Sequence, residues 1–294
     1  MRQITRDGVL TEKVDGQDQM LHRLYGNVFG RLLLKLLTAR WISCAAGAFL
    51  STKLSCKLIP SFIKKNRIDM TQYQQETYDS YNAFFSRRIR PEARPVDRTP
   101  EHLISPCDSK LTVLPIMPDS HFTLKNTPYT VESMLRNGEL AKAYEGGYAM
   151  IFRLTVDDYH RYCYVADGEK EENVPIPGVL HTVNPIANDY YPIYKENSRE
   201  YSVLHTDVFG DIVMMEVGAL LVGKIVNHHG KAKVVRGQEK GYFQFGGSTV
   251  VLLLKKGSVC VDPDILENSR QGIETVVKIG EKIGVAGSVA NYCG

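Results

Sequence analysis

The feature that most limits the fold lies beyond Leu103, where short apolar runs follow one another, each broken by Gly, Pro or Asp. YAMIFRLTV (148–156), DIVMMEV (211–217), ALLVGKIV (219–226), STVVLLLKK (248–256) and TVVKIG (275–280) are rich in Val, Ile and Leu. Runs of this length, ended by turn residues, read as strands. One short helix, roughly Val131 to Ala143, interrupts them. Hydrophobic residues make up 43% of the 294 and charged ones 23%, which excludes disordered and collagen-like classes. A chain this long buries enough surface to fold without disulfides or a metal.

The first third is different. From Gln19 to Ile68 there are nine Lys or Arg and no Asp or Glu. The whole chain carries +3, so the remainder carries 3 − 9 = −6, and the basicity is local. Leu21, Leu24, Tyr25, Val28, Leu32, Leu33 and Leu36 recur at the spacing of an amphipathic helix. A second helix is expected from Asp69, a good N-cap, through Tyr73, Tyr81 and Phe84 to about Arg88. Pro91 and Pro95 close it and read as a linker. The expected fold is α+β: an N-terminal region of amphipathic helices and linker over 1–98, then a β-rich core over 99–294.

Basic residues beside an apolar stripe can hold a helix at an anionic membrane surface. A helix packed on the protein's own core, with solvated lysines outside, has the same pattern. The longest charge-free run, Trp41 to Thr52, is too short to span a bilayer, which takes about 20 apolar residues. No nucleic-acid motif accompanies the charge. The six cysteines form no CxxC pair and no zinc spacing, and the polar start MRQITRDGVLTEKVDGQD carries no secretory cleavage signal. Reduced thiols in a cytoplasmic setting, and no metal, are expected.

The most informative segment is GYFQFGGSTVVLLL, residues 241–254. In its plain reading Gly246-Gly247 is a hairpin turn between two strands. Its chemical reading depends on strain at the Gly247–Ser248 peptide, which glycine permits. The Ser248 hydroxyl can then attack the Gly247 carbonyl. Elimination from the resulting ester leaves a C-terminal glycine and turns the serine into a pyruvoyl group. That ketone forms Schiff bases with amines and acts as an electron sink.

At these residues the chain resembles the phosphatidylserine decarboxylases. YNAFFSRRIRPEARPVD (81–97), LISPCDSK (103–110), VDDYHRYC (156–163), HTVNPIA (181–187), NSREYSVL (197–204), MEVGALLVGKI (215–225) and KGYFQFGGSTVVLL (240–253) match family segments in order. The resemblance implies a proenzyme cut between Gly247 and Ser248 into a β chain, 1–247, and an α chain, 248–294. Ser248 becomes the pyruvoyl cofactor, which holds the substrate amine as a Schiff base. Phosphatidylserine is the implied substrate, phosphatidylethanolamine and carbon dioxide the products. No metal is required. The implied location is peripheral, on the cytoplasmic side of the cell membrane and bound to its anionic surface, and a homodimer is one possible assembly.

Self-cleavage needs a base, and the resemblance implies an Asp/His/Ser set. Asp108 matches the aspartate; taken alone it reads as a turn residue. The family's D-Y-H-R-x-H segment has two histidines, the first implicated in decarboxylation and the second in cleavage. Here the first is His160 and the second position is Cys163. A thiol with an ordinary pKa near 8.5 is a poor substitute for an imidazole near 6.5. Three accounts remain open: His160 serves both reactions, Cys163 acts as a thiolate, or His181 or His205 reaches the site. His160 is favoured.

The Asp157-Asp158 pair reads as a solvated loop. Arg87, Arg88 and Arg90 suit either lipid phosphates or a helix end. Two alternatives to a lipid decarboxylase stand beside it: the same chemistry on a soluble amino acid, and an uncleaved membrane-binding relative.

Overall fold

The computed structural model describes residues 2–12, 40–74, 77–119, 121–124, 127–178, 196–218, 224–244 and 248–287. The expected helix over Leu21–Leu36 and the Gly246-Gly247 turn lie outside these residues. The architecture is α+β, mostly sheet.

An eleven-stranded sheet forms the centre. Its middle runs Arg199–Thr206, Gly210–Val217, Ser248–Leu254, Tyr148–Leu154, Ser109–Pro115 and Glu274–Val277, all antiparallel neighbours. Every residue of Ser248–Leu254 is buried, because both faces of the sheet are covered. Side chains alternate between faces along a strand. Val250, Leu252 and Leu254 therefore join Met150, Phe152, Ile212 and Met214 on one side. Val251 and Leu253 join Ile151, Val213 and Met215 on the other.

The first of these faces is covered by two small sheets. One orders Ile225–Asn227, Glu239–Phe243 and Arg161–Cys163; the other orders Val259–Val261, Lys282–Ala286 and His102–Ile104. The second face is covered by the His121–Leu124/Thr127–Thr130 hairpin and two short helices, Val131–Leu135 and Gly138–Lys142. Sequence periodicity predicts one helix here. Arg136 breaks it by turning left-handed at φ 51°, and the Asn137 side chain caps the second piece.

The polar opening of the chain also enters the sheet. Arg2–Thr5 pairs in parallel with Glu274–Val277 and carries Leu10–Glu12 outside it. Neither strand has an alternating apolar pattern, so neither is visible in the sequence. Val96 packs against the core, and Asp97 N–H donates to the Gly280 carbonyl at 3.0 Å, so the proline-rich segment follows the β core closely.

Arg40–Leu50 and Ile59–Asn66 are helices, joined by a 3-10 segment, Lys53–Leu58. The single helix expected from Asp69 to Arg88 is not formed. Asp69 caps only a 3-10 turn, Met70–Gln72, and Ser80 caps a separate helix, Tyr81–Phe85. Between them the backbone pairs sideways: Gln74 N–H donates to Arg88 O at 2.9 Å and Arg90 N–H to Gln72 O at 2.8 Å. Those bonds take donors and acceptors that a continuous helix would use. Phe62, Tyr78, Tyr81 and Phe84 meet edge-on or tilted, 5.4–6.0 Å apart, and hold these helices against one another in a cluster of their own.

Cys56, Cys107 and Cys163 are free thiols. Cys260 is disulfide-bonded, which overturns the expectation of six reduced cysteines.

Candidate active site

Ser248 is the first residue of the central strand, opposite Leu154, and is fully buried. Alternation puts it on the same face as Val250 and Leu252, the face covered by Arg161–Cys163. His160 directly precedes that strand. Its carbonyl accepts from Phe243 N–H at 2.9 Å, which fixes it to the strand leading toward the predicted cleavage segment. His160 Nδ1 lies 3.4 Å from Ser248 Oγ. Phe85 stacks on the imidazole, centroids 4.0 Å apart and planes 28° apart.

A tight turn delivers this histidine. Asp158 N–H donates to Thr155 O at 2.9 Å, and the Asp158 carboxylate accepts from Thr155 N–H and Oγ1–H at 2.7 and 2.9 Å. Lys110 Nζ donates to the same carboxylate at 2.6 Å and to Thr155 Oγ1 at 2.7 Å. Asp158 is therefore a buried ion-pair member, and the solvated loop expected for Asp157-Asp158 is corrected at that position.

His160 has its pKa lowered to about 3. Burial is the main cause and the Arg87 charge adds to it, while the Thr155 backbone and Asp157 pull the other way. The imidazole is neutral at neutral pH. With Nδ1 as acceptor toward Ser248, the ring proton belongs on Nε2, a buried atom without a hydrogen-bond partner.

Asp108 is buried but faces elsewhere. Arg94 Nε donates to both of its carboxylate oxygens at 3.0 Å, and Nη2 to Oδ2 at 2.7 Å. Lys278 Nζ at 3.4 Å and Ile279 N–H at 2.9 Å complete its shell. Burial alone would raise its pKa; these donors outweigh it and hold the carboxyl below the usual range. Arg94 and Lys278 also line a cavity of about 660 Å³ that includes neither His160 nor Ser248.

Cys163 packs in the core with Sγ 3.9 Å from Ser105 O, and burial pushes its thiol up to about 12. That environment works against a thiolate. His205 sits at the surface with Asp211 at 2.6 Å, away from Ser248. Gly247 and His181 lie outside the described residues. Of the residues singled out from sequence, the fold brings His160 and Ser248 together.

Sequence reasoning missed Phe85 and the Lys110–Asp158 pair, and left Arg87 undecided between a helix end and a lipid phosphate. Arg87 is 1% exposed, with Nη2 donating to Tyr73 Oη at 3.0 Å and its guanidinium over the Tyr73 and Phe84 rings. Its position two residues after FF in YNAFFSRR offered the only signal.

A sequence model of the family described as phosphatidylserine decarboxylase matches residues 81–285. Phosphatidylserine decarboxylase proenzyme 2 of Clostridium acetobutylicum is 49% identical over 262 residues, 89% of this chain and 90% of that protein. Phosphatidylserine decarboxylase proenzymes of Clostridium botulinum strain Hall and Fusobacterium nucleatum are 38% and 39% identical, over 93% and 94% of this chain and 95% and 94% of their own. With a family model over most of its length and full-length relatives at this identity, the chain belongs to the phosphatidylserine decarboxylase family.

Proposed function

We propose that this chain is a self-processing phosphatidylserine decarboxylase that releases phosphatidylethanolamine and carbon dioxide. One observation carries the reading: a buried, neutral imidazole faces a buried serine hydroxyl at the residue where the family motif predicts cleavage.

His160 Nδ1 takes the proton from Ser248 Oγ as the oxygen attacks the Gly247 carbonyl carbon. The Gly247–Ser248 C–N bond breaks and an ester forms, with the proton passing to the freed amine. Loss of the Ser248 α-proton then expels the Gly247 carboxylate. Addition of one water and release of one ammonia leave the ketone of a pyruvoyl group. Dry surroundings suit this sequence, because hydrolysis of the ester would end it without forming the ketone.

A ketone at this position supplies an electron sink for the bond that carbon dioxide leaves. The residues present fit it: Ser248 is buried, on a rigid central strand, with a proton carrier 3.4 Å away. Asp108 serves as a positioning residue in this reading, pinning Arg94 and the turn at Ile279. His160 is the base for cleavage, and Cys163 has a packing role.

A peripheral membrane site is also proposed. Phe49, Leu54 and Leu58 are exposed by 51%, 66% and 46%, among exposed Lys53, Lys57, Lys64 and Lys65. Apolar residues within a basic, acid-free segment suit an anionic lipid surface. Among the described residues no helix is long and apolar enough to cross a membrane.

Intact mass under denaturing, reducing conditions tests the reading. Two chains are expected, the smaller lighter by one ammonia than a serine-started 248–294 peptide. A single 33.1 kDa chain that persists in the presence of lipid would count for the uncleaved relative.

A further inference from the structure

Arg87 is an unusual charge among the described residues. It is 1% exposed, and among the described residues no carboxylate pairs with it. Its hydrogen bonds are to Tyr73 Oη at 3.0 Å and, longer and weaker, to the Phe84 and Asp158 carbonyls at 3.4 and 3.5 Å. Nε is buried with no partner at all. Burying a cation without a counter-charge costs several kcal/mol, so such groups are normally paired. The nearest candidate, Asp158, is already held by Lys110.

A second orphan lies nearby. Arg87 acts on His160 strongly enough to be its main electrostatic perturbation, and His160 Nε2 also lacks a partner. Arg87 thus reaches the turn that carries His160, and His160 in turn faces Ser248, so two unpartnered buried nitrogens and a buried cation belong to this region. Ring contacts hold the guanidinium in place: its carbon lies 4.3 Å from the Tyr73 centroid and 4.8 Å from that of Phe84. A buried guanidinium with donors to spare is complemented by an anion, to which its hydrogen bonds are charge-assisted.

We propose that Arg87 binds the phosphodiester of the glycerophospholipid headgroup. The inference rests on the decarboxylase reading above, whose substrate offers two anions, a phosphodiester and a carboxylate. Chemistry separates them. The carboxylate leaves as uncharged carbon dioxide, so an arginine on it would stabilise the ground state over the transition state and slow the reaction. The phosphodiester keeps its charge throughout. Holding it fixes the headgroup without opposing loss of charge at the reacting carbon. Arg87 is thus assigned as a specificity residue for phospholipid over free amino acid.

Calorimetry on the processed protein tests this with three probes. Glycerophosphoethanolamine has the phosphodiester and amine but no carboxylate, L-serine has the carboxylate but no phosphate, and ethanolamine has neither. Wild-type protein should bind glycerophosphoethanolamine at least about tenfold tighter than ethanolamine, the scale of charge-assisted hydrogen bonds. Arg87→Gln should erase that margin and leave L-serine binding unchanged. Arg87→Lys should retain part of it, and inorganic phosphate should displace the probe from wild type but not from the Gln variant.

The proposal is overturned if wild type binds ethanolamine and glycerophosphoethanolamine equally, a result that needs no variant to fold. It is also overturned if Arg87→Gln weakens L-serine as much as the phosphodiester. Normal carbon dioxide release by wild type in either case would leave the decarboxylase reading standing. An uncleaved wild-type chain that releases none would remove that reading and this one together.

Discussion

Asp108 gives both carboxylate oxygens to Arg94 and makes no hydrogen bond to His160. A histidine backed by an aspartate has its charged form stabilised; here the opposite holds, with His160 buried beside the Arg87 cation and its pKa pushed down to about 3. The imidazole facing Ser248 is a neutral acceptor, as the proposed role of base requires. Processing needs only one turnover per molecule, so fast regeneration of the base is not required of it.

Separating the two residues by mutation should give two different phenotypes. His160→Gln removes the acceptor and is expected to abolish cleavage with little loss of stability. Asp108→Asn leaves Arg94 and Lys278 facing an amide, and breaking a buried pair typically costs about 3–5 kcal/mol. Arg94 is itself partly exposed, so a loss nearer the lower end is expected, with cleavage slowed but measurable. Denaturant melts and the ratio of cut to uncut chain on a gel report the two effects. Complete loss of cleavage in a stably folded Asp108→Asn protein would restore a direct catalytic role to the aspartate.

The pH dependence follows from the direction of the His160 shift. Its folded pKa of about 3 lies below the ordinary 6.5, so between those values the unfolded state takes up a proton and the folded state does not. Stability should therefore fall as pH drops from 6.5 toward 3, by at most about 1.4 kcal/mol per pH unit from this group. Asp108, held below the carboxylate range, adds a loss at the acid end of the window. His160→Gln should flatten the upper part of the slope, as measured by chemical denaturation from pH 4 to 7. Cleavage itself should not show an inflection near 6.5.

Cys163 should prove dispensable for cleavage. Its thiol is buried and pushed up to about 12, with Ser105 O as its contact. Cys163→Ala is expected to process at close to the wild-type rate and to lose stability through a small cavity. Native protein should also resist alkylation at this position, readable by peptide mass after brief iodoacetamide treatment. Rapid labelling that blocks cleavage would overturn the packing role.

Membrane attachment should depend on apolar tips more than on the fold. Replacing Phe49, Leu54 and Leu58 together by Ser removes side chains that face solvent, so stability should change little. Partial burial of three such groups in lipid contributes on the order of 2–4 kcal/mol, about 30-fold or more in vesicle binding. Flotation with phosphatidylserine-containing vesicles measures it, and cleavage should persist.

The sequence made the β-rich core legible because strands buried on both faces become continuous Val/Leu/Ile runs, and STVVLLL is such a run. The strands at Arg2–Thr5 and Leu10–Glu12 were not legible, since RQIT and LTE owe their place to sheet-edge pairing rather than to hydrophobicity. The long helix expected after Asp69 failed for a similar reason: cross-pairing of Gln72–Gln74 with Arg88–Arg90 outcompetes local propensity. At the site, motif order singled out His160 and Ser248, which the fold brings into contact. It could not separate Asp108 from a triad role, because that depends on Arg94 arriving from fourteen residues earlier. Nor could it single out Arg87 from its neighbours Arg88 and Arg90, whose side chains are not buried like its own.

Ser248 begins a strand flanked on both sides, by Gly210–Val217 and Tyr148–Leu154, and Glu274–Val277 is likewise held between Ser109–Pro115 and Arg2–Thr5. A break just before Ser248 therefore leaves two polypeptides woven through one sheet. Before the break, folding is a first-order event within a single chain. Afterwards, recovery from unfolding becomes a second-order encounter between fragments, one of them only forty-seven residues long, 248–294. The mature protein would then persist by the slowness of its unfolding rather than by its capacity to refold. With the proposed cleavage, each molecule would carry a working lifetime set at that moment, and dilution after denaturation should make its loss permanent.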